Sequence, residues 1–272
     1  MSARPAEPSS DREKFARLAG GTRIWAVASL HGEASRLIRL HDDLTRRIQG
    51  SDRIVYLGNY LGIGGAVHDA IDELITFRRW LLARPGIFTC DVVHLRGAQE
   101  EMWSKLLQLQ FAPNPGEVLA WLLDHGAAAT LAAYGGDAKQ GFIAAKEGPM
   151  ALTRWTASLK AKVAASAGHQ PFVSSLRRAA YSDTLLFVHA GIDTGRPLAA
   201  QSDSFWWNAA AFGRIEQPYQ DFRRIVRGFD PAHGGIVMGG FTASIDAGCG
   251  FGGPLVAACF DAQGALVDKV EV

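Results

Sequence analysis

The hydrophobic positions in the first hundred residues follow two alternating patterns. Short apolar runs typical of buried strands occupy 24–28, 54–57 and 91–95, and each is followed by a loop that contains glycine. The segment around 37–48 places apolar residues three or four positions apart, which predicts a helix, and a second helix is predicted near 66–83. Strand, loop and helix repeated in this order predict βαβ units and a mixed sheet with helices on its faces.

The rest of the chain divides into a helical middle and a return to strands. Residues 98–180 are predicted to be mostly helical, and strand patterns return at 184–189, 235–238, 254–260 and 265–270. We therefore expect a single α/β domain over residues 23–272, with a helical insertion between the two halves of its sheet. Residues 1–22 combine proline, serine and charged residues, and are predicted to form a flexible tail.

The composition of the chain is that of a soluble globular protein and gives no sign of a membrane or secreted protein. The chain has 272 residues, of which 48% are hydrophobic and 20% charged, as expected for a soluble globular protein. Its formal net charge of +1 gives no argument for nucleic acid or a membrane surface as a partner. Three cysteines form no CxxC pair, and no apolar stretch is long enough to span a membrane or to form the core of a secretory signal. We expect a cytoplasmic protein.

Polar residues follow the predicted strands in glycine-containing loops. These loops span residues 29–32, 58–60, 96–100 and 188–191. Because ligand sites in open α/β sheets collect at the carboxyl ends of strands, the loops are expected to converge on one crevice. The pattern alone favours ordinary glycine turns in which His31 and His189 are hydrogen-bonded turn residues.

The order and spacing of these loops resemble the calcineurin-like metallophosphoesterases, specifically the branch of phosphatase 1-like serine/threonine protein phosphatases and symmetrical diadenosine tetraphosphatases. That branch carries GDxHG, GDxxDRG, RGNHE, VHAG and GHT motifs in this order. Further matches lie at 125–135, 187–206 and 246–255, so the resemblance covers about residues 23–271. It implies a four-layer α/β sandwich, with two mixed sheets flanked by helices, and hydrolysis of phosphoric esters at a centre of two divalent metal ions.

The chain departs from the family at most of the positions that carry this chemistry. Ser29 and Asn59 stand where the family has two metal-binding aspartates, and Phe241 stands where it has the last ligand histidine. Gly62 and Ile63 replace an Asp-Arg pair, and Ala98 and Gln99 replace an Asn-His pair. Asn208 replaces an arginine. Among the family's six protein ligands, His31 and His189 alone remain as good metal ligands. Glutamine cannot act as the general acid at neutral pH, and a neutral amide cannot bridge two dications as a carboxylate does.

We therefore hypothesise a pseudophosphatase that binds a phosphorylated ligand or a protein partner, with Arg96, Asn59 and Gln99 as ligand-binding residues. No cofactor is expected, and the alternative is one weakly bound manganese, iron or zinc ion on His31 and His189. Two other functions stay open. One is an active serine/threonine protein phosphatase or nucleotide phosphohydrolase with an altered, mono-metal site, and the other is a purely structural subunit.

Overall fold

The computed structural model describes residues 14–18 and 23–272, and these contain two mixed β-sheets. The first sheet has five strands in the order β11-β10-β2-β3-β4. Strands β2, β3 and β4 are mutually parallel, whereas β10 and β11 run antiparallel to their neighbours. Its members are β2 (Arg23–Val27), β3 (Arg53–Tyr56), β4 (Val92–His94), β10 (Val256–Asp261) and β11 (Leu266–Glu271).

The second sheet has six strands in the order β1-β5-β6-β7-β9-β8. Strands β6, β7 and β9 are parallel to one another, so their carboxyl ends lie at one edge of the sheet. Its members are β1 (Phe15–Arg17), β5 (Ala179–Tyr181), β6 (Leu185–Val188), β7 (Arg224–Arg227), β8 (Val237–Met238) and β9 (Thr242–Ser244).

The helices follow the predicted division of the chain. Helices α1 (Ala34–Arg47) and α2 (Val67–Leu82) connect the parallel strands of the first sheet. Helix α1 buries Leu37, Leu40 and Leu44, which lie on one face because they are three and four residues apart. The insertion contains α3 (Ala98–Leu106), α4 (Pro115–Leu122), α5 (Ala128–Ala133), α6 (Ala138–Glu147), α7 (Pro149–Ala165) and α8 (His169–Ser174). A kinked turn, Leu123–Ala127, joins α4 to α5, and two short helices, α9 (Ser204–Trp207) and α10 (Ala209–Phe212), follow β6.

Three hydrophobic cores hold the layers together. Between the two sheets lie fully buried side chains from both, such as Val55 of β3 and Phe187 of β6. The outer face of the first sheet, including Trp25, packs against α1, α2 and the insertion. The outer face of the second sheet packs against the short helices, where Phe205 is fully buried. The predicted α/β architecture, two mixed sheets flanked by helices, is therefore confirmed.

The start of the folded part differs from the prediction. Phe15–Arg17, assigned to a flexible tail, forms β1 and pairs in parallel with Ala179–Tyr181. The tail prediction is wrong for these residues, because Phe15 is buried against the second sheet and β1 obtains its backbone partners from it. The rest of the predicted tail, residues 1–13 and 19–22, lies outside the described residues. Among the described residues, no helix combines the length and apolar character needed to cross a membrane.

Candidate functional site

The strand-end loops of both sheets meet and exchange backbone hydrogen bonds. His31 N donates to Asn59 O over 2.6 Å, which joins the loops after β2 and β3. Ser29 N donates to Gly228 O, and Gly228 N to His189 O, each over 3.0 Å. These contacts connect the first sheet to the loops after β6 and β7. We call this assembly of residues 29–32, 58–63, 96–100, 189–191 and 228–230 the strand-end site.

Glu100 holds two of these loops in register. Its buried carboxylate accepts hydrogen bonds from the backbone N–H groups of Asn59, Tyr60, Leu61 and Gly97, over 2.7 to 3.0 Å. Burial raises the pKa of the Glu100 carboxyl, and the four N–H donors oppose this by favouring the ionised form. Both oxygens are thus occupied by backbone, and the Glu100 carboxylate is a structural anion rather than a metal ligand.

Asn59 presents a hydrogen-bond donor to His31. Its Oδ1 accepts from Gln99 N over 2.9 Å, which fixes the orientation of the amide, so that Nδ2 lies 3.3 Å from His31 Nε2. Nε2 of His31 therefore accepts, and its ring proton is on Nδ1, which has no hydrogen-bond partner. Burial, the largest cause, lowers the pKa of His31 to about 3, so the ring is neutral at neutral pH.

The hydrogen bonds of the His189 ring are those expected of a histidine that binds one metal ion. Its Nδ1 donates to Leu57 O over 2.7 Å, which leaves Nε2 as an unprotonated acceptor without a partner. Burial lowers the pKa of His189 to about 4, so this ring too is neutral. A histidine that donates its outer N–H to a backbone carbonyl is oriented as metal-ligating histidines are.

An aromatic ring, Phe229, contacts both histidines. It stacks on His189 with ring centroids 5.6 Å apart and meets His31 edge-on at 6.0 Å. The preceding Gly228 lies so close to Leu57 that a Cβ would stand 2.3 Å from the Leu57 Cβ. The bare glycine therefore lets the turn after β7 bring Phe229 onto the site.

The prediction that Phe241 occupies the last ligand position is wrong. Phe241 precedes β9, which runs parallel to β7, so it lies at the opposite edge of the second sheet from His189. Its backbone carbonyl accepts from Ile225 N at the start of that pairing. Phe229, which sequence reasoning missed, is the aromatic residue of the strand-end site. The available signal was weak, because Ile225 and Val226 are the only apolar residues of β7, and this strand was not predicted.

Gln99 and Arg96, predicted to bind ligand, make internal contacts. Gln99 Nε2 donates to His125 O of the kinked turn over 2.8 Å. The Gln99 amide also fills the space at Gly62, where an added Cβ would stand 2.2 Å from Oε1. Arg96 pairs with Glu101 over 3.3 Å and is partly buried. Gln99 therefore ties the strand-end site to the helical insertion, and the Arg96 charge is balanced locally.

Asp246, which lies in one of the matched segments, and His233, which the sequence did not single out, also adjoin the site. Asp246 accepts from His233 Nδ1 and from Asp230 N, both over 2.9 Å. The His233 ring stacks on Phe251 with centroids 4.5 Å apart, and Phe251 in turn meets His31 edge-on at 5.2 Å. Cys249 nearby is buried, and burial raises the pKa of its thiol to about 12, so it is not a nucleophile at neutral pH.

Buried polar atoms without hydrogen-bond partners concentrate at the strand-end site. Within residues 14–18 and 23–272 there are six such side-chain atoms, and four of them belong to this site. They are Ser29 Oγ, His31 Nδ1, Gln99 Oε1 and His189 Nε2. Buried polar groups normally find a partner, so these atoms indicate that a water molecule or a polar ligand group completes the site.

These residues do not fit a two-metal centre. An amide N–H faces the His31 lone pair that a cation would need, and the Glu100 carboxylate is occupied by backbone. The Asp246 carboxylate is likewise occupied, by His233 and backbone N–H groups. His189 is left as one free imidazole ligand. We therefore derive no chemical step through metal ions at the strand-end site.

A separate group of potential metal ligands lies on the helices. Ligand atoms of His68, Asp72 and His169 all lie within 4.8 Å of one another. We call these three residues the helical cluster. It shares no residue with the strand-end site.

Comparisons with solved structures identify the fold. The chain matches a candidate diadenosine tetraphosphatase at a TM-score of 0.53 and 17% identity, over 95% of this chain and 97% of that one. It matches a serine/threonine phosphatase from Saccharomyces cerevisiae, similar to human phosphatase PP5, at a TM-score of 0.55 and 10% identity, over 95% and 84%. A cold-active protein-tyrosine phosphatase from a psychrophilic Shewanella species matches at 0.53 and 11% identity, over 98% and 87%.

No protein-family model matches the sequence, and no curated protein matches it. At these identities the likeness shows the fold alone. The chain therefore has the metallophosphoesterase fold, and the resemblance predicted from its loops is confirmed at that level.

Proposed function

We propose that this protein is a catalytically inactive relative of the phosphoesterases whose fold it has, and that it acts by binding a protein partner or a phosphorylated ligand at the strand-end site. The observation that carries the proposal is the contact between Asn59 Nδ2 and His31 Nε2. It places a hydrogen-bond donor where two-metal catalysis requires a cation.

The surroundings of this contact support the same conclusion. Phe229 stacks on His189, and its ring lies within 6.0 Å of both histidine rings, so an apolar group takes part of the space that ions and bridging water would need. Gln99, in hydrogen-bond contact with His125 O, has no acidic proton to give to a leaving group. The buried atoms of Ser29, His31, Gln99 and His189 that have no hydrogen-bond partner are the groups to which a polar ligand would bind.

Electrostatics favours a protein partner over a phosphate group. His31 and His189 are neutral because burial lowers their pKa values to about 3 and about 4. The Arg96 and Arg227 guanidinium groups are paired with Glu101 and Asp230. The names of the three structural neighbours cover protein phosphatases and a dinucleotide phosphatase, so the likeness does not select a substrate class.

The test is a hydrolysis assay of the full-length protein with an aryl phosphate and with diadenosine tetraphosphate in excess manganese. We expect no turnover above that of a mock preparation. Turnover by the purified protein that disappears in His189→Ala would overturn the proposal. Co-purification of a stoichiometric protein partner, weakened by Asn59→Asp, would support binding at this site, whereas a melting shift with a phosphopeptide would identify the phosphorylated ligand instead.

The second candidate is an active hydrolase with one metal ion, and the orientation of His189 favours it. Its Nδ1 donates to Leu57 O, and its Nε2 is free. Metal content alone does not discriminate, because the helical cluster also offers ligands. An ion that is lost in His189→Ala, together with turnover, would establish this alternative.

A further inference from the structure

The helical cluster joins two parts of the fold through polar side chains. His68 and Asp72 lie four residues apart on α2, so they share one face of that helix. His169 is the first residue of α8 in the helical insertion, 97 positions further along the chain than Asp72. The three residues therefore connect a helix that packs on the first sheet with the end of the insertion.

Both imidazoles turn one nitrogen toward the same carboxylate. His68 Nδ1 lies 3.1 Å from Asp72 Oδ2, and His169 Nε2 lies 3.0 Å from Asp72 Oδ1. The ring centroids of the two histidines are 4.3 Å apart. Two imidazole nitrogens and a carboxylate whose ligand atoms lie within 4.8 Å of one another form a ligand set that zinc uses in proteins.

The outer nitrogens of both rings are held by hydroxyl groups. His68 Nε2 lies 3.0 Å from Ser166 Oγ, and His169 Nδ1 lies 2.7 Å from Tyr134 Oη. Burial raises the pKa of Tyr134, so this phenol stays protonated and can accept an N–H through its oxygen. Metal-ligating histidines almost always donate their other ring N–H in this way, and such contacts orient the ring and raise its basicity.

We infer that His68, Asp72 and His169 bind one divalent cation of the zinc class and so attach the helical insertion to α2. Nitrogen ligands favour zinc, cobalt or nickel over magnesium or calcium, which prefer oxygen. Without the ion, each imidazole donates an N–H to Asp72. On binding, each ring would carry its one proton on the outer nitrogen, beside Ser166 or Tyr134, so that the nitrogen facing Asp72 is free to bind the cation.

The geometry leaves room for an ion with an open position. Ligand atoms around a tetrahedral zinc ion stand roughly 3.4 Å apart, which lies between the 3.0 and 3.1 Å nitrogen–oxygen distances and the 4.8 Å limit of the cluster, so small shifts suffice. The Asp72 side chain can make this movement, because 54% of it is exposed, whereas His169 is fully buried and fixed. His68 is 40% exposed, so water reaches the remaining coordination position.

The experiment measures metal binding by the full chain after chelator treatment. Cobalt titration followed by visible absorption, and zinc titration by calorimetry, should give one ion per chain and a rise in melting temperature. Asp72→Asn and His68→Gln should each weaken binding by at least about 10-fold. Asp69→Asn, which changes a matched exposed aspartate on the same helix, should leave the affinity unchanged.

Absence of stoichiometric binding would overturn the inference. So would affinity that survives both Asp72→Asn and His68→Gln, since the ion would then bind elsewhere in the chain. His169→Gln is not used, because this fully buried residue also supports folding. The outcome is independent of the hydrolysis assay, which reports on the strand-end site alone.

Discussion

The strand-end site and the helical cluster each contain two histidines, but they differ in what faces the imidazole nitrogens. In the strand-end site an amide N–H faces His31, and an aromatic ring lies against His189. In the helical cluster one carboxylate faces both His68 and His169. An imidazole beside a donor is a satisfied acceptor, whereas imidazoles around an anion form a cation site. The type of residue is therefore a weaker guide to metal binding than the group that faces it.

The carboxylates of the two regions have opposite roles. Glu100 is buried and holds four backbone N–H groups, whereas Asp72 is more than half exposed. Glu100→Ala should therefore lower the free energy of unfolding by more than about 4 kcal/mol, because a hydrogen bond to a charged group is worth about 1.5–3 kcal/mol. Urea unfolding of the metal-free protein checks this.

Asp72→Asn is the matched comparison and should cost about 1 kcal/mol without metal, because Asp72 is 54% exposed and the asparagine oxygen can still accept an imidazole N–H. Glu101→Ala, next to Glu100 in sequence, should likewise cost far less than Glu100→Ala. Equal losses for Glu100→Ala and Glu101→Ala would contradict the role of Glu100 as a structural anion.

Stability should fall as the pH falls, because of the buried histidines of the strand-end site. The pKa values of His31 and His189 are lowered to about 3 and about 4, so below about pH 6.5 the unfolded chain binds more protons than the folded one. Their contribution is complete above about pH 6.5 and is lost as the pH falls to about 4 for His189 and about 3 for His31. The slope is up to about 1.4 kcal/mol per pH unit for each histidine.

Urea unfolding at several pH values between about 7 and about 5 measures this slope. Replacing His31 and His189 together by glutamine should flatten it, although buried His94, whose pKa burial also lowers to about 3, retains part of it. His125→Gln, which removes a half-exposed imidazole, serves as the control. An unchanged slope in the double variant would contradict the buried, neutral state of the two rings.

Asn59→Asp should make the strand-end site resemble the helical cluster. The new carboxylate would face His31 Nε2, so the pKa of His31 should rise by at least about 1 unit, as expected for an opposite charge at this distance. Two-dimensional NMR of the imidazole nitrogens, recorded against pH, measures the change. A His31 pKa that does not move would show that the Asn59 side chain does not face this ring in solution.

The main elements of the fold were predictable because they depend on local pattern. The parallel strands β2, β3 and β4 are short apolar runs, and α1 repeats its buried leucines with helical spacing. The sequence analysis did not predict the strands β5, β7 and β9. Each has only three or four residues, and β7 begins and ends with arginine, so too few positions reveal a period of two.

The sequence predicted which residues lie at the strand ends, but it did not predict which side chains contact each other there. The positions of His31, Asn59 and His189 at strand ends could be inferred, since loops after parallel strands share an edge. The assignment of Phe241 failed because it required the unrecognised β7, and Phe229 took its place. The pair His68 and Asp72 carries a visible four-residue spacing, but nothing local links it to His169.

The sequence by itself determined the succession of strands and helices and the residues that stand at the strand ends, because side-chain periodicity and glycine turns act over a few residues. The tertiary structure alone decided that the Asn59 amide donates to His31, that Phe229 lies on His189, and that His169 meets Asp72. Such contacts depend on how distant segments pack, and packing sets which atom of a polar side chain faces its neighbour.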